Sequence, residues 1–275
     1  MIAWIRIVAV LVLIVLWTLL LLPVQLTSNR FGWKLSWYLP RRWHRVAARL
    51  LGLRIITHGA LDTHRPLMIA ANHSSWKDII VLSCVADVVF IAKSEVRSWP
   101  VFGWLARWQR TVFIERERRR QTGEQVSEVA KRLADGEIVV LFAEGTTSDG
   151  NRILDFKSSL FGAAASALGA SPTGSVSIQP VAIAYTHANG VPLGRYGRPL
   201  AAWPGDTELP PHLMGILKEG ALDVHVCFGE PVRYDENSNR KRVTRDIERQ
   251  VRAMHQHQLY GVDMPSSELL PSQSE

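Results

Sequence analysis

The sequence predicts an α/β fold. A mixed, partly parallel central sheet is flanked by helices and preceded by an N-terminal membrane-anchoring helical segment. Three observations carry this reading. Residues 7–24, IVAVLVLIVLWTLLLLPV, hold no charged side chain. Beyond Gly52, short runs rich in β-branched residues alternate with stretches of helical periodicity, the pattern of chains that wind helices around a sheet. The composition, 47% hydrophobic and 21% charged, is that of a folded protein, so disorder is expected only at the ends. The 275 residues hold one good-sized domain and a small module. The expected division is 1–54 as anchor and basic amphipathic helix, 55–262 as the α/β domain, and 263–275 as a polar tail.

The uncharged segment would span about 27 Å as a helix, close to the ~30 Å hydrocarbon core of a bilayer. No A-x-A cleavage pattern follows it; Pro23, Gln25 and Leu26 do. A retained anchor is therefore expected rather than a cleaved signal. The net charge of +7 sits almost wholly beside this segment. Eight basic residues and no acid precede Asp62, and the remaining 24 basic and 25 acidic residues nearly cancel. The basic flank lies after the apolar segment, which places the body of the chain on the cytoplasmic face of the inner (plasma) membrane. Residues 41–51, RRWHRVAARLL, put Trp43, Val46, Ala47, Leu50 and Leu51 on one helical face. Arg42, Arg45 and Arg49 fall on other faces, and Trp33, Trp37 and Tyr38 precede the helix. A basic helix with aromatic neighbours is expected to contact membrane lipid.

In the body of the chain, strands are expected at Leu67–Ala71, Val88–Ala92, Thr111–Ile114, Glu137–Ala143, Val176–Tyr185 and Asp223–Phe228. Helices are expected at Asp78–Ala86, Trp99–Trp108, Thr122–Ala134 and Phe161–Leu168. Asp135-Gly136 would end the third of these. No internal repeat is visible. The two cysteines, Cys84 and Cys227, are far apart in apolar surroundings and form no CxxC pair, which argues against a zinc ribbon or a disulfide framework.

Ligands of open α/β sheets gather where strands end and loops enter helices. Asn72-His73-Ser74-Ser75-Trp76-Lys77-Asp78 lies at such a place. Histidine is the usual general base near neutral pH, and an aspartate on its second ring nitrogen would fix the tautomer and stabilise the imidazolium. The G-x-S-x-G string of α/β serine hydrolases is absent, so a substrate hydroxyl, rather than Ser74 or Ser75, is the expected proton donor. The turn Glu144-Gly145-Thr146-Thr147 follows the most apolar strand. Arg116 stands after another strand, where a guanidinium could grip a phosphate or carboxylate. Both phosphate-loop patterns of nucleotide-binding proteins are missing. A nucleic-acid partner is not expected either, because the basic residues flank an apolar span and form no recognition motif.

These blocks together resemble the 1-acyl-glycerol-3-phosphate acyltransferase family. NHSSWKD looks like its N-H-x-S-x-x-D signature, PVFGWLARWQRTVFIER like the block ending G-x-x-x-I-x-R, and LFAEGTTSDG like F-P-E-G-T-R-S. IQPVAIAY and VCFGEPV match two later blocks. The likeness covers roughly residues 50–235 and rests on the order of the set. It implies a membrane-bound O-acyltransferase. His73 would be the base and Asp78 its orienting partner. Arg116, Glu144, Gly145, Thr146 and Thr147 would hold the acceptor, and Lys157 matches a family lysine. The donor would be the thioester of CoA or acyl carrier protein, and no metal or other cofactor is implied.

Three positions depart from the family pattern. Arg110 stands for Gly, Ala143 for Pro, and Thr147 for the Arg after E-G-T. The last removes a cation expected near an acceptor phosphate. Relatives that acylate lyso-ornithine lipid, with its zwitterionic amino-acid head, also read EGTTSDG followed by FKS. Lysophosphatidate is the leading expectation for the acceptor and lyso-ornithine lipid the alternative. The departures also admit a non-catalytic, membrane-anchored binding protein on the same fold.

Overall fold

The computed structural model describes residues 2–114, 128–171, 173–205 and 207–261. Arg116, the first half of the helix expected at Thr122–Ala134, and the tail from 262 lie outside the described residues. Two helices come first, α1 (Ile2–Phe31) and α2 (Leu35–Leu51). The body then runs β1 (Leu53–His58), β2 (Leu67–Ala71), α3 (Lys77–Val85), β3 (Val88–Lys93), α4 (Phe102–Trp108), β4 (Val112–Ile114), α5 (128–134) and β5 (Ile138–Phe142). It continues with α6 (Gly162–Ala167), β6 (Val176–Ala188), β7 (Val191–Pro192), α7 (Gly194–Ala201), α8 (Leu209–Glu219), β8 (Leu222–Phe228), β9 (Val232–Tyr234) and α9 (Arg240–Tyr260).

The sheet is ordered β1-β8-β6-β2-β5-β3-β4, with β7 and β9 also on β6. β6 runs antiparallel to β8, β7 and β9, while the remaining neighbours are parallel, so the sheet is mixed as expected. Every residue of β2 is buried, because both faces of the sheet are covered. Leu67, Ile69 and Ala71 point to the layer of α1, α2, α3 and α8. Met68 and Ala70 point to the layer of α5, α6 and α9. Each fully buried Leu, Ile or Met side chain contributes about 1.5–3 kcal/mol, so β2 and β5 form a rigid centre from which the loops emerge.

The N-terminal helices pack on this body. Ile7 and Val10 of α1 lie in the same core as Leu67 and Val224. Arg6 Nη1 donates to the Leu217 carbonyl at the end of α8 (2.8 Å). Gln25 Nε2 donates to the Trp108 carbonyl (2.8 Å). The other face of α1, with Trp4, Val8, Leu11, Val15 and Leu19, is exposed. α2 begins at Leu35, six residues ahead of the amphipathic stretch noted in the sequence. Its basic character is partly internal. Arg41 Nη2 donates to the Val85 carbonyl (2.8 Å) and Arg45 Nε to the Cys84 carbonyl (3.1 Å), so both cover the last carbonyls of α3. Gly52 closes α2 at φ +78°, where a Cβ would lie 2.9 Å from the Gly220 oxygen; glycine meets both demands.

Two departures from the family pattern find structural reasons here. Arg110 occupies the left-handed region at φ +66°, which explains why glycine suits this position. Its side chain turns toward the far end of the sheet, where Nη2 bonds Glu137 Oε1 (2.7 Å) and the guanidinium lies 5.2 Å from the Trp37 ring centroid. Ala143 donates its N–H to the Ala71 carbonyl (3.0 Å), a bond proline could not make. β1, β7, β9, α7, α8 and α9 fall outside the elements expected from the sequence. α9 is the largest of these: its buried Val243, Ile247 and Val251 form a single stripe at i, i+4, i+8 within a charged run.

Candidate active site

β2 delivers the chain to the site. Beyond its last paired residue, the Asn72 side chain continues the ladder to β6. Its Nδ2 donates to the Ile183 carbonyl (3.0 Å), and its Oδ1 accepts from the Ile183 N–H (2.8 Å). An amide side chain thus stands in for a peptide unit while the backbone turns away. At His73 the backbone is held on both sides. Its N–H donates to Glu144 Oε1 (2.7 Å), and its carbonyl accepts from the Ser148 N–H (2.8 Å). The His73 ring stacks on Phe142, centroids 3.9 Å apart, and Nδ1 lies 2.9 Å from Asp78 Oδ2.

Asp78, in the first turn of α3, is fully buried. Its Oδ2 also accepts the N–H groups of Ser74 (2.8 Å) and Ser75 (2.9 Å). Its Oδ1 accepts the Tyr185 hydroxyl of β6 (2.8 Å). Four donors fix both oxygens of this buried carboxylate at the N-terminus of α3. His73 therefore has an immobile carboxyl partner on Nδ1, and Nε2 is the nitrogen left facing the cavity side. Ser74 and Ser75 are buried, and Ser75 Oγ accepts from Lys77 Nζ (2.8 Å), so neither is placed as a nucleophile.

His73 opens onto a cavity of about 700 Å³, a volume that suits a large apolar ligand. Its walls are shared. Leu21, Leu22 and Trp43 come from the N-terminal helices, Trp76 from the residue that caps α3, Ile80 from α3 itself, and Phe102 and Leu105 from α4. Trp99 and Trp203 meet edge to face at 6.0 Å along its lining. Gly145, Thr146 and Thr147 line the cavity beside His73.

Other residues predicted for the site sit differently. Glu144 is buried behind it, with Oε1 on the His73 N–H and Oε2 on the Leu154 N–H (2.9 Å). Burial pushes its pKa up to about 8, against the pull of those two bonds. It braces the loop and contributes no wall to the cavity. Lys157 is exposed; its backbone N–H bonds the Ala143 carbonyl, and its side chain is not part of the cavity lining. Arg116 lies outside the described residues.

The structure adds residues the sequence did not single out. Lys93, at the end of β3, lines the cavity. A cation at a strand end was the same signal used for Arg116. Lys77 is fully buried, with Nζ on the Ala201 carbonyl (2.6 Å) and on Ser75 Oγ. Burial lowers its pKa to about 7, with the Asp78 charge opposing. Together with the Trp203 N–H on the Ser74 carbonyl (2.6 Å), it ties the segment after α7 to the histidine turn.

Comparison with known proteins follows the same lines. A family model described as Acyltransferase matches residues 54–184. A lyso-ornithine lipid O-acyltransferase of Rhizobium meliloti is 60% identical over 95% of this chain and 89% of its own length. One of Brucella abortus is 53% identical over 97% of this chain and 100% of its own. The crystal structure of the 1-acyl-sn-glycerophosphate (LPA) acyltransferase from Thermotoga maritima superposes with a TM-score of 0.56. It covers 90% of this chain and 95% of its own at 22% identity, a likeness of fold.

Proposed function

Because the chain belongs to the acyltransferase family whose members acylate lysolipids, we propose that it moves a fatty acyl group from an acyl thioester to the free hydroxyl of lyso-ornithine lipid. The carrying observation is the pairing of an intact His73–Asp78 dyad with Thr147 at the cavity wall. A phosphate head group calls for a guanidinium at that position, and a hydroxyl stands there instead. Lys93 on the same cavity suits the carboxylate of an amino-acid head. The names of the two relatives support the same acceptor. This reverses the order of acceptors expected from sequence, where lysophosphatidate came first.

In the proposed reaction His73 Nε2 takes the acceptor hydroxyl proton as the oxygen attacks the thioester carbonyl carbon. Asp78 stabilises the imidazolium so formed. The tetrahedral intermediate then collapses, the C–S bond breaks, and the imidazolium returns the proton to the thiolate. Ester and free thiol are the products. The thioester of CoA or of acyl carrier protein satisfies this chemistry equally, and the acyl chain occupies the apolar cavity. The bonded dyad argues against the rival reading as a non-catalytic binding protein, which has no use for a buried carboxylate held on a histidine.

We place the chain at the cytoplasmic face of the inner membrane, seated by α1 and α2. α1 is about 45 Å long at 1.5 Å per residue, and its one apolar window is long enough to cross a bilayer. Its inner face nevertheless stays on the body, pinned by Arg6 near one end and Gln25 near the other. This favours a hairpin lying in the membrane surface with its outer face in lipid.

The test offers the purified full chain lyso-ornithine lipid and lysophosphatidate together with labelled acyl thioester. The expected result is acylation of lyso-ornithine lipid with a kcat/KM at least about ten-fold higher, one bidentate contact's worth of discrimination. Equal or preferential acylation of lysophosphatidate overturns the acceptor assignment.

A further inference from the structure

The Asp78 carboxylate has an uneven set of partners. Three donors converge on Oδ2: the His73 ring and the N–H groups of Ser74 and Ser75. Among the described residues, Oδ1 has one, the Tyr185 hydroxyl, which reaches it at 2.8 Å from strand β6, 107 residues away in sequence. Both side chains are buried, so water does not replace this bond. Tyr185 lies in an apolar stretch, QPVAIAY, and its neighbours Val181 and Ile183 pack in the core. A phenylalanine would fill the same volume, so the hydroxyl is not needed for packing.

We propose that Tyr185 is a positioning residue of the acyl transfer, holding the Asp78 carboxyl group in plane so that its other oxygen serves His73. This rests on the reading of His73 and Asp78 as the reacting pair. Without the hydroxyl, Oδ1 becomes a buried acceptor lacking a donor, and the negative charge is shared with one partner fewer. The change passes to His73 through Oδ2. A carboxylate whose charge is less shared attracts the imidazolium more strongly, which moves the acid limb of the rate profile to higher pH. Other titratable groups facing this cluster are Lys77 of α3, whose Nζ lies 5.1 Å from the Tyr185 ring centroid, Glu144 after β5, and His255 of α9. None of them contacts Oδ1. Burial and the Asp78 charge hold the Tyr185 pKa well above 10, so it remains a donor throughout the working range.

The experiment compares pH–rate profiles of the full-length wild type and Tyr185→Phe in detergent or vesicles, with melting temperatures measured alongside. The expected result is an acid limb raised by about one pH unit and a kcat lowered several-fold, with KM for donor and acceptor unchanged. Replacing Tyr185 alone by 3-fluorotyrosine, a stronger donor of the same shape, moves the limb the other way. An acid limb that stays in place in both variants overturns the proposal, whether or not kcat falls, because a purely structural hydroxyl changes the amount of active protein and not its pH profile. His73→Ala separates the two readings: activity retained there sinks the assignment of the pair itself, whereas an inactive His73→Ala with an unmoved limb in Tyr185→Phe sinks the role of Tyr185 alone.

Discussion

Asp78→Asn is the substitution whose outcome the hydrogen-bond network fixes most tightly. An asparagine can enter in two orientations. With its oxygen toward His73, it keeps the three donors that Asp78 Oδ2 accepts: His73 Nδ1, Ser74 N–H and Ser75 N–H. Its NH2 group then faces the Tyr185 oxygen, and the hydroxyl rotates to accept. The opposite orientation aims the NH2 group at two backbone N–H groups, which cannot move aside. The first orientation therefore wins, and with it the histidine tautomer that leaves Nε2 as a base. Folding is expected to change by only ~1 kcal/mol, the worth of one exchanged hydrogen bond. What disappears is the charge facing the imidazolium. Two unit charges about 4 Å apart at an effective dielectric of about 20 interact by ~4 kcal/mol, which is about 10³-fold in rate at 1.36 kcal/mol per decade.

The assay is acyl transfer from labelled thioester under saturating acceptor, beside a thermal melt. A kcat reduced about 10³-fold with a melting temperature within a few degrees of wild type is expected. Retention of more than a tenth of the activity would refute the electrostatic role assigned to Asp78. A melt lowered by 10 °C or more would show that the orientation argument is wrong and that the network, not the charge, was disrupted.

Three further outcomes follow from the same structure. Thr147→Arg restores a guanidinium to the cavity wall and is expected to shift the kcat/KM ratio toward lysophosphatidate by about ten-fold or more in a mixed-acceptor assay; no shift would mean that Thr147 does not meet the head group. Arg110→Met removes a partner of the buried Glu137, which keeps Arg132 Nη1 at 3.2 Å, so a loss of about 2 kcal/mol in denaturant unfolding is expected with kcat unaltered. His255 is buried, and burial lowers its pKa from 6.5 to about 4, the neighbouring Arg198 and Arg252 adding to the effect. The folded state then takes up its proton later than the unfolded one, so stability is full above pH 6.5 and falls between pH 6.5 and 4, by up to about 3 kcal/mol; His255→Phe should flatten that part of the stability–pH curve, and an unchanged slope would count against it.

The parts of the site that were legible in the sequence are the local ones. His73 and Asp78 lie five residues apart, and a strand–turn–helix reading places both on one turn. Gly145, Thr146 and Thr147 follow the most apolar strand and do line the cavity. Glu144 was legible as part of the motif but not in its position: only the fold shows that both its oxygens are taken by backbone N–H groups. Tyr185 carries no signal at all, because its role depends on β6 lying beside β2. Lys93 carries one, the same strand-end cation that marks Arg116. In the fold, the strands of the sheet centre were plain because burial on both faces makes them continuously apolar. α9 was hidden because one narrow buried stripe is diluted by five arginines, Lys241, Asp246 and Glu248 on its other faces. The arginines of α2 show the converse: a basic face that read as lipid-seeking partly serves the carbonyls of α3.

Sharing cavity walls between the N-terminal helices and the α/β body has an energetic logic under the proposed membrane seating. An acyl chain of about 15 methylenes costs ~12 kcal/mol to bring from an apolar phase into water, at ~0.8 kcal/mol per CH2. A soluble enzyme that met its lipid across a water layer would have to recover that cost on binding. Here Leu21 and Leu22 of α1 face the cavity, while Leu19 and Leu20 of the same turn face outward. One helix thus supplies both the proposed lipid contact and the inner apolar wall. In the proposed arrangement an acyl chain would exchange one for the other without full hydration, leaving binding energy for orienting the head group at His73. The dyad sits where this wall ends and the polar turn of Thr146 and Thr147 begins. In the proposed reaction that boundary would receive the hydroxyl of an acceptor with an apolar tail and a charged head, and the apolar wall and the polar turn would together set its register along the cavity.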